Sequence, residues 1–263
     1  MNWPGRNHRA ITYKKNKMRT LSILCILLMS ILVSCKAEAE TEEGSSYQVA
    51  RLNERPEINA VWDKAPWTGI KSLQLTHYMG EKPEHFPFTE AKIAYDNLAI
   101  YVIFRVKDRY VKAVTSTHQG PVYKDSCVEF FFSPDDNSTD GYFNLEMNCG
   151  GTMLFHHQVL PRTNQVHVAE EDIQLVEVAH SLPEIVDPEI EEETTWCVEY
   201  RIPFSVLASY HDFPIPENGT SWRANLYKCA DDTSHPHWLT WAPIDLPGPD
   251  FHQPDFFGTL KFQ

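Results

Sequence analysis

Ser126-Cys127-Val128-Glu129-Phe130-Phe131-Phe132-Ser133 is followed, after Pro134-Asp135-Asp136-Asn137-Ser138-Thr139-Asp140-Gly141, by Tyr142-Phe143-Asn144-Leu145-Glu146-Met147-Asn148-Cys149. In the first run Val128, Phe130 and Phe132 alternate with Cys127, Glu129 and Phe131. In the second, Phe143, Leu145, Met147 and Cys149 alternate with Tyr142, Asn144, Glu146 and Asn148. Successive side chains of a strand point to opposite faces, so a period of two marks two strands, each with one apolar face. The eight residues between them are the Pro, Asp, Asn and Gly types that make turns. Asn144, Glu146 and Asn148 then share a polar face with Glu129 within reach; that face reads either as a hydrogen-bonding surface for a ligand or as a solvated outer face.

Outward from this pair the same periodicity recurs. Ala91–Asp96 and Leu98–Val106 read as a hairpin turning at Asp96-Asn97, with Leu98, Ile100, Val102, Phe104 and Val106 on one face. Further strands are expected at Met153–Val159, Ile173–Val178, Trp196–Ile202, Trp222–Lys228 and Thr259–Phe262. Pro203–Ser209 reads as one helical turn, and the acidic Ser181–Glu193, with Pro183 and Pro188, as a long surface loop. Many short strands broken by 18 prolines and polar turns predict an all-β chain, an antiparallel β-sandwich of the jelly-roll or immunoglobulin-like kind in a single domain.

The N-terminus has a different character. Six Lys or Arg and no acidic residue precede or interrupt an apolar run, Leu21–Val33, too short to span a bilayer, which is the pattern of a signal peptide. Leu32-Val33-Ser34-Cys35 resembles a lipobox, so lipidation is expected at Cys35, with residues 1–34 removed; Met18 offers an alternative start. Residues 35–47 read as the lipidated Cys and an acidic tether, and residues 48–263 as the folded domain. The tether resembles the acidic stretch that sends some Bacteroidetes-type lipoproteins to the cell surface. The expected location is therefore the cell envelope, anchored to the outer membrane through lipid. Without the six basic residues of the leader, 17 of 23 remain against 36 acidic ones, a net charge of about −19 that argues against nucleic acid as a partner.

Four motifs in order over roughly Glu57–Phe262 carry a family resemblance. Ile58-Asn59-Ala60-Val61-Trp62-Asp63-Lys64-Ala65-Pro66-Trp67 resembles the opening of family-nine carbohydrate-binding modules and their DOMON relatives, with Asn59-Ala60 where an Asp-Gly pair is usual. Leu98-Ala99-Ile100-Tyr101-Val102, reaching Asp108, resembles the family's strand in which a Leu-Tyr pair precedes a charged turn. Tyr123-Lys124-Asp125-Ser126-Cys127-Val128-Glu129 resembles the family signature, with Tyr in place of its Trp. Glu199-Tyr200-Arg201-Ile202-Pro203 resembles the strand ending in Ile-Pro, and Trp222–Lys228, Trp241-Ala242-Pro243 and Phe257-Gly258 complete the series.

The resemblance implies a carbohydrate-binding lipoprotein that takes up a poly- or oligosaccharide in support of carbohydrate catabolism, beside separate glycoside hydrolases of the xylanase type. A sugar needs aromatic platforms for its C–H faces and polar groups for its hydroxyls. Carried over, these are Tyr123 and Glu129, with Trp241 as the opposing platform and Trp238 as its alternative; three residues apart in an extended chain, the two Trp face opposite ways. Asn144, Glu146 and Asn148 are candidate hydroxyl partners, Arg105, Arg223 and Asn225 weaker ones. No cofactor is required.

Other chemistries remain open. A glycoside hydrolase acting on O-glycosyl bonds would use two opposed carboxylates, for which Glu129 and Glu146 are the candidates. A DOMON-type haem or redox domain would draw on Met147 or Met153 with His156. His235-Pro236-His237, with Cys229 and Asp231, offers donors to a transition metal, and Asp135, Asp136 and Asp140 offer oxygens to Ca²⁺. Catalytic activity of its own is not expected, because nucleophile-elbow, phosphate-loop and dinucleotide motifs are absent from the sequence. Cys127, Cys149, Cys197 and Cys229 allow three disulfide pairings or four buried thiols.

Overall fold

The computed structural model describes residues 44–263. The leader and Cys35 lie outside the described residues. The described residues contain sixteen strands. They are β1 (Ser46–Arg51), β2 (Leu73–Gln74), β3 (His77–Tyr78), β4 (Phe88–Tyr95), β5 (Ala99–Asp108) and β6 (Val111–Ala113). There follow β7 (Cys127–Ser133), β8 (Tyr142–Asn148), β9 (Met153–Gln158), β10 (Val166–His167) and β11 (Glu177–His180). The last are β12 (Val186–Ile190), β13 (Thr194–Pro203), β14 (Ser221–Cys229), β15 (Trp238–Thr240) and β16 (Gly258–Phe262). Helix is confined to short turns, including Phe204–Leu207 where Pro203–Ser209 was read as one turn.

Most strands form two sheets joined along β1, in the orders β10-β9-β8-β7-β14-β16-β1 and β1-β4-β5-β13-β11, and β6 and β12 form a separate two-stranded sheet. Pairing is antiparallel except at the join, where β1 runs parallel to β16 through Ser46–Val49 and parallel to β4 through Ala50–Arg51. β1 begins inside the stretch read as a tether, and Tyr47 within it is buried in the core, its hydroxyl donating to the Lys71 carbonyl at 2.7 Å. The acidic composition before Gly44 hides this strand's start from a compositional reading.

The core between the sheets is built by the alternating faces expected from the sequence. Val128, Phe130 and Phe132 of β7 and Phe143, Leu145 and Met147 of β8 meet Ile100, Val102, Phe104 and Val106 of β5, with Trp196 and Trp222 filling the space between. Burying such side chains is the main stabilising term, about 1.5–3 kcal/mol each. Leu98 departs from the expectation: it sits in the β4–β5 turn, exposed, because Asp96 caps the turn by accepting from the Leu98 and Ala99 amides.

Two further expectations give way to pairing that periodicity does not reveal. The acidic loop Ser181–Glu193 contains β12, which pairs with β6. The expected strand Ile173–Val178 is instead a helical turn, Glu170–Ile173, followed by β11 on the edge of the second sheet. The four cysteines among the described residues, Cys127, Cys149, Cys197 and Cys229, are buried free thiols; Cys127 stands opposite Cys229 across β7–β14.

Candidate functional site

The outer face of the first sheet is covered, not solvated. Residues between Trp241 and Phe257 fold back over β14, β7 and β8, and Phe251, Phe257 and Ile244 pack on Phe131, Tyr142 and Tyr227 in a second apolar cluster. The Tyr227 hydroxyl donates to the Phe251 carbonyl at 3.0 Å, and the Tyr142 hydroxyl lies 2.8 Å from His252 Nδ1. Between this covering segment and the sheet lies a cavity of about 450 Å³, a size typical of small-molecule sites.

Strand register decides which polar residues line it. One row across the sheet is Tyr227, Glu129, Glu146, Leu154; the next is Asn225, Phe131, Asn144, His156. Glu129, Phe131, Asn144, Glu146, Leu154 and His156 all face the cavity. Tyr123, 38 % exposed, reaches it from the short helical turn Val122–Lys124, and Trp238 from the start of β15. Arg162, Asp231 and Asp250 complete the polar rim.

The remaining expected site residues lie elsewhere. Trp241 is 8 % exposed and belongs to the inter-sheet core, its ring pressed on the backbone of Gly258. β15 is extended, so Trp238 and Trp241 do face opposite ways, and it is Trp238 that the fold directs to the cavity. Asn148 shares the face but is held by Asp125 Oδ2 and the Thr115 carbonyl, both at 2.9 Å. Asn225 is consumed by Ala242, donating to its carbonyl and accepting from its amide. Arg223 donates to the Phe257 carbonyl. Arg105 is on β5 of the other sheet, bound to Glu90 at 2.6 Å and packed on the Trp62 ring. Sequence alternation placed Asn148 and Asn225 on the correct face; only register and the covering segment separate them from Glu129 and Glu146.

The site's electrostatics follow from burial. Glu129 and Glu146 are directly opposed cross-strand partners, both buried. Burial, with Cys229 and Glu146 adding to it, pushes the Glu129 carboxyl well above the usual range. Burial also raises Glu146, to about 7, against the donated hydrogen bond of Asn144. Glu129 Oε1 accepts from Cys229 Sγ at 3.1 Å, and Glu146 Oε1 from Asn144 Nδ2 at 3.0 Å. Asn144 Oδ1 in turn accepts from Gln158 Nε2 at 2.7 Å, which fixes its amide. Trp238 Nε1 donates to Asp231 Oδ1 at 2.8 Å. His156, 6 % exposed and stacked on His167, is lowered to about 4 by burial, and its Nε2 has no partner among the described residues.

The other candidate chemistries are pulled apart by the fold. Met147 and Met153 lie in the inter-sheet core while His156 faces the cavity, so they form no axial pair. Both nitrogens of His237 are engaged, by Lys228 Nζ at 2.8 Å and the His235 carbonyl at 2.9 Å, whereas Cys229 and Asp231 face the cavity. Asp135 Oδ1 accepts from the Asn137 amide and Oδ2 faces His211, leaving that loop's first carboxylate committed within the chain. Among the described residues, Cys127, Glu129 and Cys229 are the donors close enough together to share an ion. Burial holds the Cys127 thiol up at about 12 and Cys229 well above its ordinary value, so both stand protonated.

Motifs one and four meet at a buried carboxylate. Glu199 Oε1 accepts from Trp67 Nε1 at 2.8 Å, and Oε2 from the amides of Asn59 and Ala60 at 2.9 and 2.7 Å and from Lys64 Nζ at 2.8 Å. The opening motif is thus tied to the second sheet, and the Lys64 ammonium supplies the positive charge at that carboxylate.

The sequence profile of carbohydrate-binding family 9 matches residues 58–262. A crystal structure of a Bacteroides uniformis protein, provisionally described as carbohydrate-binding, superposes with a TM-score of 0.76 at 32 % identity, covering 84 % of this chain and all of that one. A family 9 module of Caldicellulosiruptor kristjanssonii solved with glucose superposes with a TM-score of 0.58 at 17 % identity, covering 83 % of this chain and 96 % of that one. The same module solved with cellotriose gives the same score and identity, over 83 % and 94 %. No curated protein matches the sequence.

Proposed function

Because this chain belongs to carbohydrate-binding family 9, we propose that the cavity on the outer face of the first sheet captures a poly- or oligosaccharide. The observation that carries the reading is the wall itself. Aromatic rings of Tyr123 and Trp238 stand beside buried carboxylates and an amide with hydrogen-bonding capacity to spare. A pyranose offers C–H faces to the first and hydroxyls to the second. Tyr123 and Trp238 act as platforms; Glu129, Asn144 and Glu146 hold the hydroxyls. The sugar complexes of the Caldicellulosiruptor module support a glycan as the ligand class.

The leader and Cys35 support a lipid-anchored envelope protein that holds the glycan near separate degrading enzymes. Cys35→Ala should move the protein from the membrane to the soluble fraction. Unchanged fractionation argues against the anchor.

The opposed pair Glu129 and Glu146 favours one second reading, hydrolysis of an O-glycosyl bond. Glycan-array binding followed by calorimetry, with reducing-sugar release measured on every ligand that binds, separates the two. Binding without release supports capture; release that disappears in Glu129→Gln and Glu146→Gln supports a hydrolase. Loss of no affinity in Tyr123→Ala, Trp238→Ala and their double variant would mean that the site lies elsewhere.

A further inference from the structure

Resting on the reading of this cavity as the glycan site, we infer that it selects a sugar bearing a free amine, a hexosamine unit, over the neutral hexose. The wall is rich in carboxyl groups. Glu129 and Glu146 stand side by side across β7 and β8, at the roughly 5 Å Cβ spacing of cross-strand neighbours. Each has one oxygen satisfied within the protein, by Cys229 and Asn144, and takes no hydrogen bond at the other from the described residues. Asp231 stands at the rim with one oxygen held by Trp238. The wall's guanidinium, Arg162, is paired with Asp250 at 2.8 Å.

Two adjacent carboxylates in a low-dielectric wall cannot both ionise without a counter-charge. A protonated amine is that counter-charge, and its three N–H donors match the free oxygens. A hydroxyl brings one donor and no charge, and an N-acetyl group one donor and added bulk. The wall also holds a buried polar atom without a partner, Nε2 of His156. His156 lines the same cavity, a polar side chain independent of the acidic residues. Trp238 and Tyr123 supply the apolar surface for the ring, and their faces attract a cation as well.

The test is calorimetry on the purified protein with the β-1,4 trimers of glucosamine, N-acetylglucosamine and glucose, at a pH where the amine is protonated. The glucosamine trimer should bind at least about tenfold more tightly than either of the others. That ratio should fall towards one in Glu129→Gln and in Glu146→Gln. The wild-type ratio decides even where a variant fails to fold. Equal or tighter binding of the glucose or N-acetylglucosamine trimer would overturn the amine selectivity and leave the glycan site standing, whereas binding of none of the three would tell against the glycan reading itself.

Discussion

The indole Nε1 of Trp238 donates to Asp231 Oδ1 at 2.8 Å, and the amide of Asp231 donates to the Tyr123 carbonyl at 3.2 Å. One residue, Asp231, therefore links the two aromatic residues of the cavity rim, through its carboxylate and its backbone amide. A ring held at its polar edge presents its face without paying rotamer entropy on binding. Trp238→Ala should weaken glycan binding about 10- to 100-fold with a small change in stability. Trp241→Ala should do the reverse, costing about 3–5 kcal/mol as a buried aromatic while the protein that remains folded keeps its affinity. Calorimetry and denaturant unfolding on both variants check this; a loss of affinity confined to Trp241→Ala would reverse the assignment.

Trp241 also sets a requirement on Gly258. A Cβ at residue 258 would stand 2.7 Å from the Ser45 carbonyl oxygen and 2.8 Å from Cζ3 of the Trp241 ring. Both neighbours are fixed, one by the β1–β16 pairing and the other by the core. Gly258→Ala should cost about 1–3 kcal/mol through overpacking, read as a lower midpoint in urea. An unchanged midpoint would mean that the β16 backbone shifts freely.

What was legible from the residues was the part written in alternation. β5, β7, β8, β13 and β14 appear in the sequence because each has one face of Val, Leu, Ile, Phe or Trp turned to a common core. β6, β12 and the edge strand β10 do not, because two to five residues, some exposed, carry no period. For the candidate site, alternation put Glu129, Asn144 and Glu146 on the face that lines the cavity. It could not choose between Trp238 and Trp241, since that depends on which face of β15 meets the core. Nor could it assign His156, Arg162 and Asp250 to this wall, which they enter through register with β8, through the β9–β10 loop and through the covering segment respectively. His156 carried a signal all the same: in Met153–Gln158 it falls on the face opposite Met153 and Phe155.

Glu146 makes the stability of the fold depend on pH in a definite direction. Burial raises its carboxyl from 4.5 to about 7, with the charge of Asp231 adding to the shift and Asn144 and Arg162 opposing it. A carboxyl raised in the fold keeps a proton that the unfolded chain has already released, so its contribution is complete below about 4.5 and is lost as pH rises towards about 7. Buried histidines act oppositely: His156, His157 and His252, each lowered to about 4 by burial, add stability as pH rises from about 4 to 6.5. The test is therefore a difference. The stability of wild type minus that of Glu146→Gln should decline between pH 4.5 and 7 and level off above it; a flat difference would mean that Glu146 is ionised throughout.

Ala60 occupies the position where the family's opening motif usually carries glycine, and its φ is 56°, in the left-handed region. Its amide is held there by Glu199 Oε2 at 2.7 Å, so the backbone cannot relax to an ordinary angle without losing a buried charge-assisted hydrogen bond. A left-handed residue with a Cβ costs roughly 1–2 kcal/mol, partly offset by the greater unfolded-chain freedom of glycine. Ala60→Gly should therefore stabilise the protein by about 0.5–1 kcal/mol, and Ala60→Val, β-branched in the same conformation, should destabilise it by more than that. Thermal and urea unfolding of the two variants test the point. A destabilised Ala60→Gly would show that burial of the Ala60 methyl against Leu52, Trp62 and Trp67 outweighs the backbone cost.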